Sequence, residues 1–483
     1  MKAKLKIMTV ALLAAVAFVG CTKEYTITVK SNNESWGTVT GGGNYADGAT
    51  ATLSAIPAAG YYFISWQDGD RTNPRTVTVT ANATYIATFS NDPNGGGDNP
   101  GGGGNDPLQM SGTISQNVTW PDRGLAVDYI IDGVLDIDGN ALLTIDPGVT
   151  IMFTNVNGAI VVGENAGLKM VGTADKPIIL QGPTNNPNNG SWDRIKIYSK
   201  RNDNQFEYVQ FLRGGSADDI EWWGVVNVSG KLSMKHCTLD GGLKTGLVLE
   251  EDGYLAAFEN NVIKNCAGCP IYTESINNIC KNIGTGNTFT RNGDNRVKVN
   301  WGYPSESENL TLRAIGIPYA VLGSVGYDSP KTLTIEAGTI IEMQPNESFG
   351  ISGGIVMNGT AGNPIVFRCE NNTENWNGID FSSTRNGNQM NYVQIQRGGA
   401  SDDWTSQSCL YIRVGSKLSM TGCSFGSSAR YGVSIEYIGS WYSNINHSGC
   451  TFSGCTLGNV YLDGGGEWDG TEYEGGDVLD ALP

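Results

Sequence analysis

The chain of 483 residues carries little charge: Asp, Glu, Lys and Arg make up 16% of it, where about 25% is usual. This composition is not that of a coiled coil or a Glu/Lys-rich helical bundle. Basic residues are the scarcer sign, with 31 Lys and Arg against 48 Asp and Glu, and no basic cluster follows the first few residues. Because nucleic-acid binding needs a basic footprint, nucleic acid is excluded as a partner. Hydrophobic residues, at 39%, still suffice for a core, which excludes wholesale disorder.

Long apolar runs are also missing, apart from a short one at the start. Three lysines precede the apolar residues 7–19, which are too few to span a bilayer. The run ends in Phe-Val-Gly-Cys and resembles a bacterial lipoprotein signal, in which the cysteine is acylated and becomes the first residue. The resemblance implies a signal peptide over residues 1–20, a lipidated Cys21 and membrane attachment through lipid. It predicts a bacterial outer-membrane lipoprotein, facing the cell surface or the periplasm; an ordinary secretory signal with a chance cysteine is the alternative.

Histidine is nearly absent, and none of the ten cysteines stands at metal-binding spacing from either of the two histidines. We therefore predict no metal site. Cys266 and Cys269 form a C-x-x-C pair, for which buried packing or a local disulfide is favoured over a redox or zinc role. Nine cysteines remain besides Cys21, so at least one is unpaired.

Residues 91–107 contain only Gly, Asn, Asp and Pro. A segment without apolar residues builds no core, so this one is predicted to be a linker between a small and a large part of the chain.

The small part, residues 21–90, alternates apolar and polar residues and is rich in Thr, Val, Ile and Tyr. Period-two alternation broken by Gly-rich turns predicts short strands. The sequences GTV at 37–39, GGGNY at 41–45 and GYYF at 60–63 resemble the bacterial repeat domain related to internalin-type B repeats. The resemblance implies a spacer or adhesive module without catalysis. Trp66 is predicted to be a core residue rather than a sugar platform.

The large part, residues 108–483, contains an internal duplication. ALLTIDPGVTI at 141–151 recurs as KTLTIEAGTII at 331–341, and such self-similarity is the mark of a repeat architecture. The duplication predicts two halves, about 108–300 and 301–463, followed by an acidic C-terminal tail.

Within each half, short runs of alternating apolar residues are broken by Gly and Asn every few residues, and no helical pattern competes. This pattern predicts a parallel β-helix, in which one face of each strand fills the cylinder and the other meets solvent. Asn suits its tight corners because it tolerates left-handed backbone conformations. A β-sandwich array is the alternative.

Two features extend this prediction by resemblance. LTIDPGVTIMF, LTIEAGTIIEM and the Tyr-Val-Gln-x-x-Arg-Gly-Gly sequence of both halves resemble the right-handed, pectate-lyase-like β-helix family. The predicted fold class is therefore all-β: a right-handed parallel β-helix, or solenoid, preceded by a small β-rich repeat domain.

That family includes polysaccharide lyases and hydrolases, so the resemblance raises the question of catalysis. Its hydrolases use clustered Asp residues, a His-Gly pair and an Arg-x-Lys segment. Neither His236 nor His447 is followed by Gly, and Arg194 and Lys196 precede the paired Asp residues instead of following them. Its lyases need a Lys or Arg base and usually an acidic calcium site, and no dense Asp run is present. We predict no catalytic residues and no cofactor, with calcium left open, and favour a protein that is not an enzyme.

The duplicated Arg-Gly-Gly-x-x-Asp-Asp segment is the most distinctive feature of the large part. Its double Gly predicts a sharp turn into a protruding loop, and aromatic faces beside Arg and Asp are how proteins grip sugars. Pairing of Arg with Asp inside the loop, with the Trp rings covering the sheet, is the structural alternative and the favoured one. The candidate ligand-binding residues are Trp192, Arg201, Arg213, Asp218, Asp219, Trp222 and Trp223 in the first half, and Trp376, Arg385, Arg397, Asp402, Asp403 and Trp404 in the second.

These features favour a lipid-anchored, non-enzymatic cell-envelope protein whose β-helix surface serves adhesion or the binding of a polysaccharide or host glycan. The alternative is an envelope-tethered polysaccharide lyase or glycoside hydrolase. A structural stalk without a ligand is the second alternative.

Overall fold

The computed structural model describes residues 23–59, 61–90, 106–184, 186, 188–215, 223–250, 252–280, 283–302, 307–401, 407–436 and 444–463. Its contacts divide the chain into two units, Met1–Asp106 and Pro107–Pro483. The predicted signal peptide, Cys21, nearly all of the predicted linker and the acidic tail lie outside the described residues. Within the described part, no helix has the length and apolarity needed to cross a membrane.

The first unit consists of seven strands in two sheets, ordered β3-β1-β7-β5 and β2-β4-β6. The strands are β1 (Glu24–Ser31), β2 (Gly37–Thr40), β3 (Gly43–Ala46), β4 (Thr50–Pro57), β5 (Tyr62–Trp66), β6 (Arg75–Thr78) and β7 (Ala83–Ser90). Alternate residues such as Ile27, Leu53 and Phe89 point into one core. Trp66 is fully buried there, and its indole N–H donates to the carbonyl of Thr72 at 3.0 Å. Its assignment as a core residue is confirmed.

The second unit is a parallel β-solenoid of about twelve turns. Its first half contains the following elements: β8 (Leu108–Ile114), β9 (Val118–Trp120), β10 (Tyr129–Ile137), β11 (Leu142–Ile145), β12 (Thr150–Phe153), β13 (Ala159–Val162), β14 (Gly167–Val171), β15 (Ile178–Gln181), β16 (Ile195–Ile197), β17 (Gln205–Glu207), β18 (Val209–Leu212), β19 (Gly224–Val228), β20 (Lys231–Lys235), β21 (Thr238–Asp240), β22 (Thr245–Leu249), β23 (Tyr254–Glu259), β24 (Val262–Lys264), β25 (Ile271–Thr273), α1 (Ile276–Ile279), β26 (Thr288–Thr290) and β27 (Val297–Val299).

The second half repeats the pattern with strands only: β28 (Leu310–Leu312), β29 (Tyr319–Val321), β30 (Val325–Tyr327), β31 (Thr332–Glu336), β32 (Ile340–Met343), β33 (Ser348–Ile351), β34 (Gly354–Asn358), β35 (Ile365–Cys369), β36 (Gly378–Phe381), β37 (Gln389–Asn391), β38 (Val393–Gln396), β39 (Ser408–Ile412), β40 (Lys417–Thr421), β41 (Ser424–Gly426), β42 (Tyr431–Glu436), β43 (Asn444–Ser448), β44 (Thr451–Ser453) and β45 (Gly458–Asp463).

Strands of successive turns stack in parallel, so most turns of the chain add one strand to each of three ladders. In the first half, one ladder contains β13, β16, β19, β22, β25 and β27. The inward residues form one continuous apolar column from Trp120 to Val460. The alternation predicted from sequence is confirmed, because residues such as Leu143 and Ile145 are buried while Thr144 between them is not.

The corners of the coil are made by residues with left-handed backbone. Tyr208, His236 and Asn260 occupy one corner of three successive rungs with φ of 50°, 53° and 56°, and the Tyr208 and His236 rings stack 4.7 Å apart. A second corner has φ of 59° at Arg213 and 58° at Asn265. Asn was expected at such corners, but Tyr, His and Arg also adopt this conformation, because ring stacking and rung-to-rung hydrogen bonds oppose its cost.

The strands of the second half do not continue the ladders of their sequence counterparts in the first half. Tyr129 and Tyr319 are equivalent positions of the duplication, 190 residues apart, and the two copies of the LTI sequence have the same spacing. Tyr129 pairs with Ile151 in the β12 ladder, whereas Tyr319 stacks on Val297, which belongs to the β13 ladder. Each ladder of the second half is therefore displaced by one face of the coil.

Candidate functional site

The duplicated Arg-Gly-Gly segment forms a corner of the coil in both halves. Arg213 and Arg397 each have φ of 59°, and Gly215 and Gly399 follow with φ of 90° and 74°. A Cβ on Gly214 would lie 2.7 Å from the Trp192 ring, so only glycine fits at this position. The sharp turn inferred from sequence is present, and close packing accounts for its glycines.

Trp192 and Trp376 lie inside the coil at this corner. Both are fully buried, and their indole N–H groups donate at 2.8 Å to the carbonyls of Leu212 and Gln396. Trp192 also stacks on Phe153 with ring centroids 4.5 Å apart. A ring with no exposed face cannot stack on a sugar, so we correct the interpretation of these two residues from ligand contacts to core residues.

The predicted arginines tie successive rungs together. Arg201 forms an ion pair with Asp203 and donates to the carbonyls of Asn140 and Asn165 at 3.1 and 3.0 Å. Arg385 donates to the carbonyls of three consecutive residues, 329–331.

Arg397 behaves in the same way, since it donates to the carbonyls of Asn372 and Glu374. Arg213 presents its backbone carbonyl to the N–H and hydroxyl of Ser191. The side chains of Arg201, Arg385 and Arg397 thus bond backbone carbonyls of other rungs.

The acidic and aromatic residues predicted to follow the corner are mostly beyond what the structure describes. Asp218, Asp219, Trp222, Asp402, Asp403 and Trp404 lie outside the described residues. Trp223 is described, and the guanidinium of Arg194 lies 3.6 Å from its ring centroid. Trp223 is therefore engaged in a cation–π contact.

A slot on the outer face of the second half is a candidate site. Gly326, Gly350 and Asp380 follow one another in register on β30, β33 and β36 and point outward. A Cβ on Gly326 would meet nothing within 4 Å, and one on Gly350 would make only ordinary contacts at 3.7 Å or more. Neither glycine has a positive φ, so neither turn geometry nor packing explains them. Glycine in a strand interior often marks a close approach by a ligand.

The two glycines form the floor of a cavity of about 270 Å³. Its polar rim consists of the carboxyl groups of Asp328 and Asp380 and the hydroxyl groups of Ser352 and Ser382. None of the described residues that line the slot is basic. The slot therefore offers exposed backbone, hydrogen-bond acceptors and hydroxyl groups to a flat, polar and uncharged ligand.

One wall of the slot is held rigid by an ion pair. The guanidinium of Arg413, which follows β39, makes two parallel bonds of 2.8 and 2.6 Å to the carboxylate of Asp380. The hydrogen bonds that Arg413 donates to Asp380 raise the pKa of Arg413 above its ordinary value. A bidentate pair fixes the plane of the carboxylate, which leaves its remaining lone pairs aimed in set directions.

The corresponding strands of the first half, β10, β13 and β16, carry side chains where the slot has its glycines. By rung position, Gly326 and Gly350 correspond to Asp136 and Val161, and Asp380 corresponds to Lys196. The slot is not among the features that both halves share, so the duplication does not reveal it. The signal that could have revealed it is the opposite one: glycine at outward positions of two successive strands, in one half only.

Lys196 in the first half belongs to a closed polar cluster. It forms an ion pair with Glu250, which also accepts from the Asn227 amide at 2.6 Å and the Ser229 hydroxyl at 3.0 Å. Burial alone would raise the pKa of Glu250, but these hydrogen bonds and the ammonium charge outweigh burial and lower the pKa. The four groups satisfy one another, which marks a structural cluster.

Metal binding finds no support in the described part of the chain. No group of three or more His, Cys, Asp or Glu side chains is placed there to hold an ion. Cys266 and Cys269 are both buried.

Comparison with known families bears on both units. Residues 27–93 match the model of a divergent InlB B-repeat domain, and residues 112–206 match that of a pectate-lyase like beta helix domain. The chain joins an InlB B-repeat-like domain to a pectate-lyase-like β-helix. Comparison with curated proteins and with solved structures gives no match. The all-β fold class expected from sequence is confirmed for this B-repeat and β-helix protein.

Proposed function

We propose that this protein is a non-enzymatic, lipid-anchored envelope protein whose β-helix binds a neutral glycan in the slot floored by Gly326 and Gly350. The observation that carries the proposal is the slot itself, because its two glycines lack any structural reason. The B-repeat domain and the linker then serve to hold the β-helix away from the membrane.

The chemistry of the slot selects the ligand class. Sugar hydroxyl groups donate well to fixed carboxylates such as Asp380 and exchange hydrogen bonds with serine hydroxyls. A uronate or sulfated glycan would bring its own negative charge close to Asp328, and like charges repel. The charge of Asp380 is offset by its ion pair with Arg413. The net charge of −17 adds to this repulsion. A neutral hexose or N-acetylhexosamine unit fits better than an acidic one.

The proposed cellular location rests on the first 21 residues. A basic start, a short apolar run and Cys21 support a lipoprotein signal, and several acyl chains would give stable attachment where one is marginal. We place the protein at the bacterial outer membrane, with the slot available to glycans on the cell surface or in the periplasm.

A glycan array tests the proposed activity. The chain from residue 22 onward should bind one or more neutral glycans and not their uronate-containing counterparts. Gly350→Leu should abolish this binding, because its side chain would occupy the slot while its Cβ meets no atom closer than 3.7 Å. Gly362→Leu is the matched control, since Gly362 also faces open space without a positive φ.

Two results would contradict the proposal. Glycan binding that persists in the Gly350→Leu variant would show that the slot is not the binding site. Release of unsaturated products from a uronate polysaccharide would favour a lyase instead.

A further inference from the structure

Cys423 and Cys450 occupy the same corner of two successive rungs. Ser424 and Thr451, the residues after them, are in register between β41 and β44. The N–H of Thr451 donates to the carbonyl of Cys423 at 2.9 Å. Parallel strands lie about 4.8 Å apart, and the Cα atoms of a disulfide are separated by about 4.4–6.8 Å, so stacked neighbours are within bonding reach.

The side chain of Cys423 lies near that of Cys450 and lowers the pKa of the Cys450 thiol. Cys423 is fully buried, with its sulfur 3.2 Å from the carbonyl of Met390. Cys450 is only partly buried. The Cys450 sulfur is thus accessible to a reagent, whereas the Cys423 sulfur is shielded from solvent.

The first half shows that this corner is a point where rungs are fastened. Cys237 holds the place of Cys423, and Asn261 holds the place of Cys450 on the next rung. The side-chain oxygen of Asn261 accepts from the N–H of Cys237 at 3.0 Å, and its amide donates to the carbonyl of Met234. The second half has a thiol where the first half has this cross-rung amide.

We propose that Cys423 and Cys450 form a disulfide in the exported protein, which fastens the last described rung to the one before it. Among the described residues, the rung containing β43, β44 and β45 is the last to contribute to the apolar column. A covalent link there would add to the contacts that this rung makes with the rung before it.

The oxidant is a disulfide, supplied by the thiol-oxidising proteins or small disulfides of an oxidising compartment. The thiolate of Cys450 attacks one sulfur of that disulfide, forms a mixed disulfide and releases the other sulfur. Cys423 then attacks the Cys450 sulfur. The new S–S bond forms and the mixed disulfide breaks. The two sulfurs of the oxidant leave as thiols with the two protons and the two electrons that the cysteines have lost.

Peptide mapping of the full chain, made in an oxidising compartment, tests this bond. Free thiols are alkylated in denaturant before digestion with trypsin. No Lys or Arg follows Arg430, so Cys423 falls in peptide 418–430 and Cys450 in peptide 431–483. We expect these two peptides to be linked before reduction and separate after it.

Cys455 shares the second peptide with Cys450, so it provides the control. Cys455→Ser should keep the link and Cys450→Ser should lose it. Further cleavage of the wild-type link after Phe452 separates the two candidates without any variant. Full alkylation of Cys423 in the unreduced chain, or a link that maps to Cys455, would overturn the proposal.

Discussion

The buried amide of Asn388 offers the sharpest test of how the coil is held together. Its side-chain oxygen accepts from the N–H of Ile355 at 3.0 Å. Its nitrogen donates to the Ser383 hydroxyl at 2.9 Å and to the carbonyls of Arg385 and Lys417 at 2.9 and 3.1 Å. The three contacts of the nitrogen share its two hydrogens. One side chain therefore links three rungs, and Asn388→Ala removes all of these contacts at once.

The expected loss follows from these bonds. A buried hydrogen bond contributes roughly 1 kcal/mol to stability, and a buried donor or acceptor left without any partner costs more. We therefore expect a local loss of stability of about 4 kcal/mol. Because about 1.4 kcal/mol is a factor of ten, the Ile355 amide should exchange with deuterium roughly a thousandfold faster. Hydrogen exchange read by mass spectrometry on peptides of β34 measures this change.

A matched control lies two residues away. Asn386 is exposed and accepts only from the Lys417 ammonium at 3.0 Å. Asn386→Ala should change exchange at Ile355 by less than about twofold, since exposed substitutions of this kind have little effect. Equal exchange rates in the two variants would refute the claim that buried Asn side chains hold the rungs together.

Three further predictions follow from the core, the polar cluster and the disulfide. Trp192→Ala should lower the free energy of unfolding of its rungs by about 3–5 kcal/mol in urea, since it empties a fully buried site, while leaving glycan binding intact. The pKa of Glu250 is below its ordinary 4.5, so its stabilisation is complete above that pH and is lost as pH falls through the lowered value. Acid titration should therefore destabilise wild type more than Glu250→Gln. Reduction should destabilise the last rungs by about 3–4 kcal/mol, because the proposed link closes a loop of about 27 residues; Cys450→Ser should show no such effect.

The core of the β-helix was readable from sequence because alternation imposes it. Leu143 and Ile145 must share a face whatever their partners are, and the duplication repeats the same faces in the second half. The corner at Arg213 was also predictable, since a double glycine signals a turn. Local pattern and repetition suffice for features that depend on one strand or one turn.

The site was not readable in the same way. Trp192 follows a loop rather than an alternating run, so sequence did not reveal that its ring turns inward to stack on Phe153. The slot depends on which outward residues of β30, β33 and β36 become neighbours, and that register follows from loop lengths between strands. Gly326 and Gly350 are 24 residues apart in sequence, and only the stacking of their strands shows that they form one surface.

Protection from hydrogen exchange on glycan binding tests the central claim most directly. Saturating neutral glycan should slow exchange at residues 326–328, 350–352 and 380–382, which line the slot, and leave the corners at Arg213 and Arg397 unchanged. Protection confined to those corners, or spread evenly over the coil, would contradict the account.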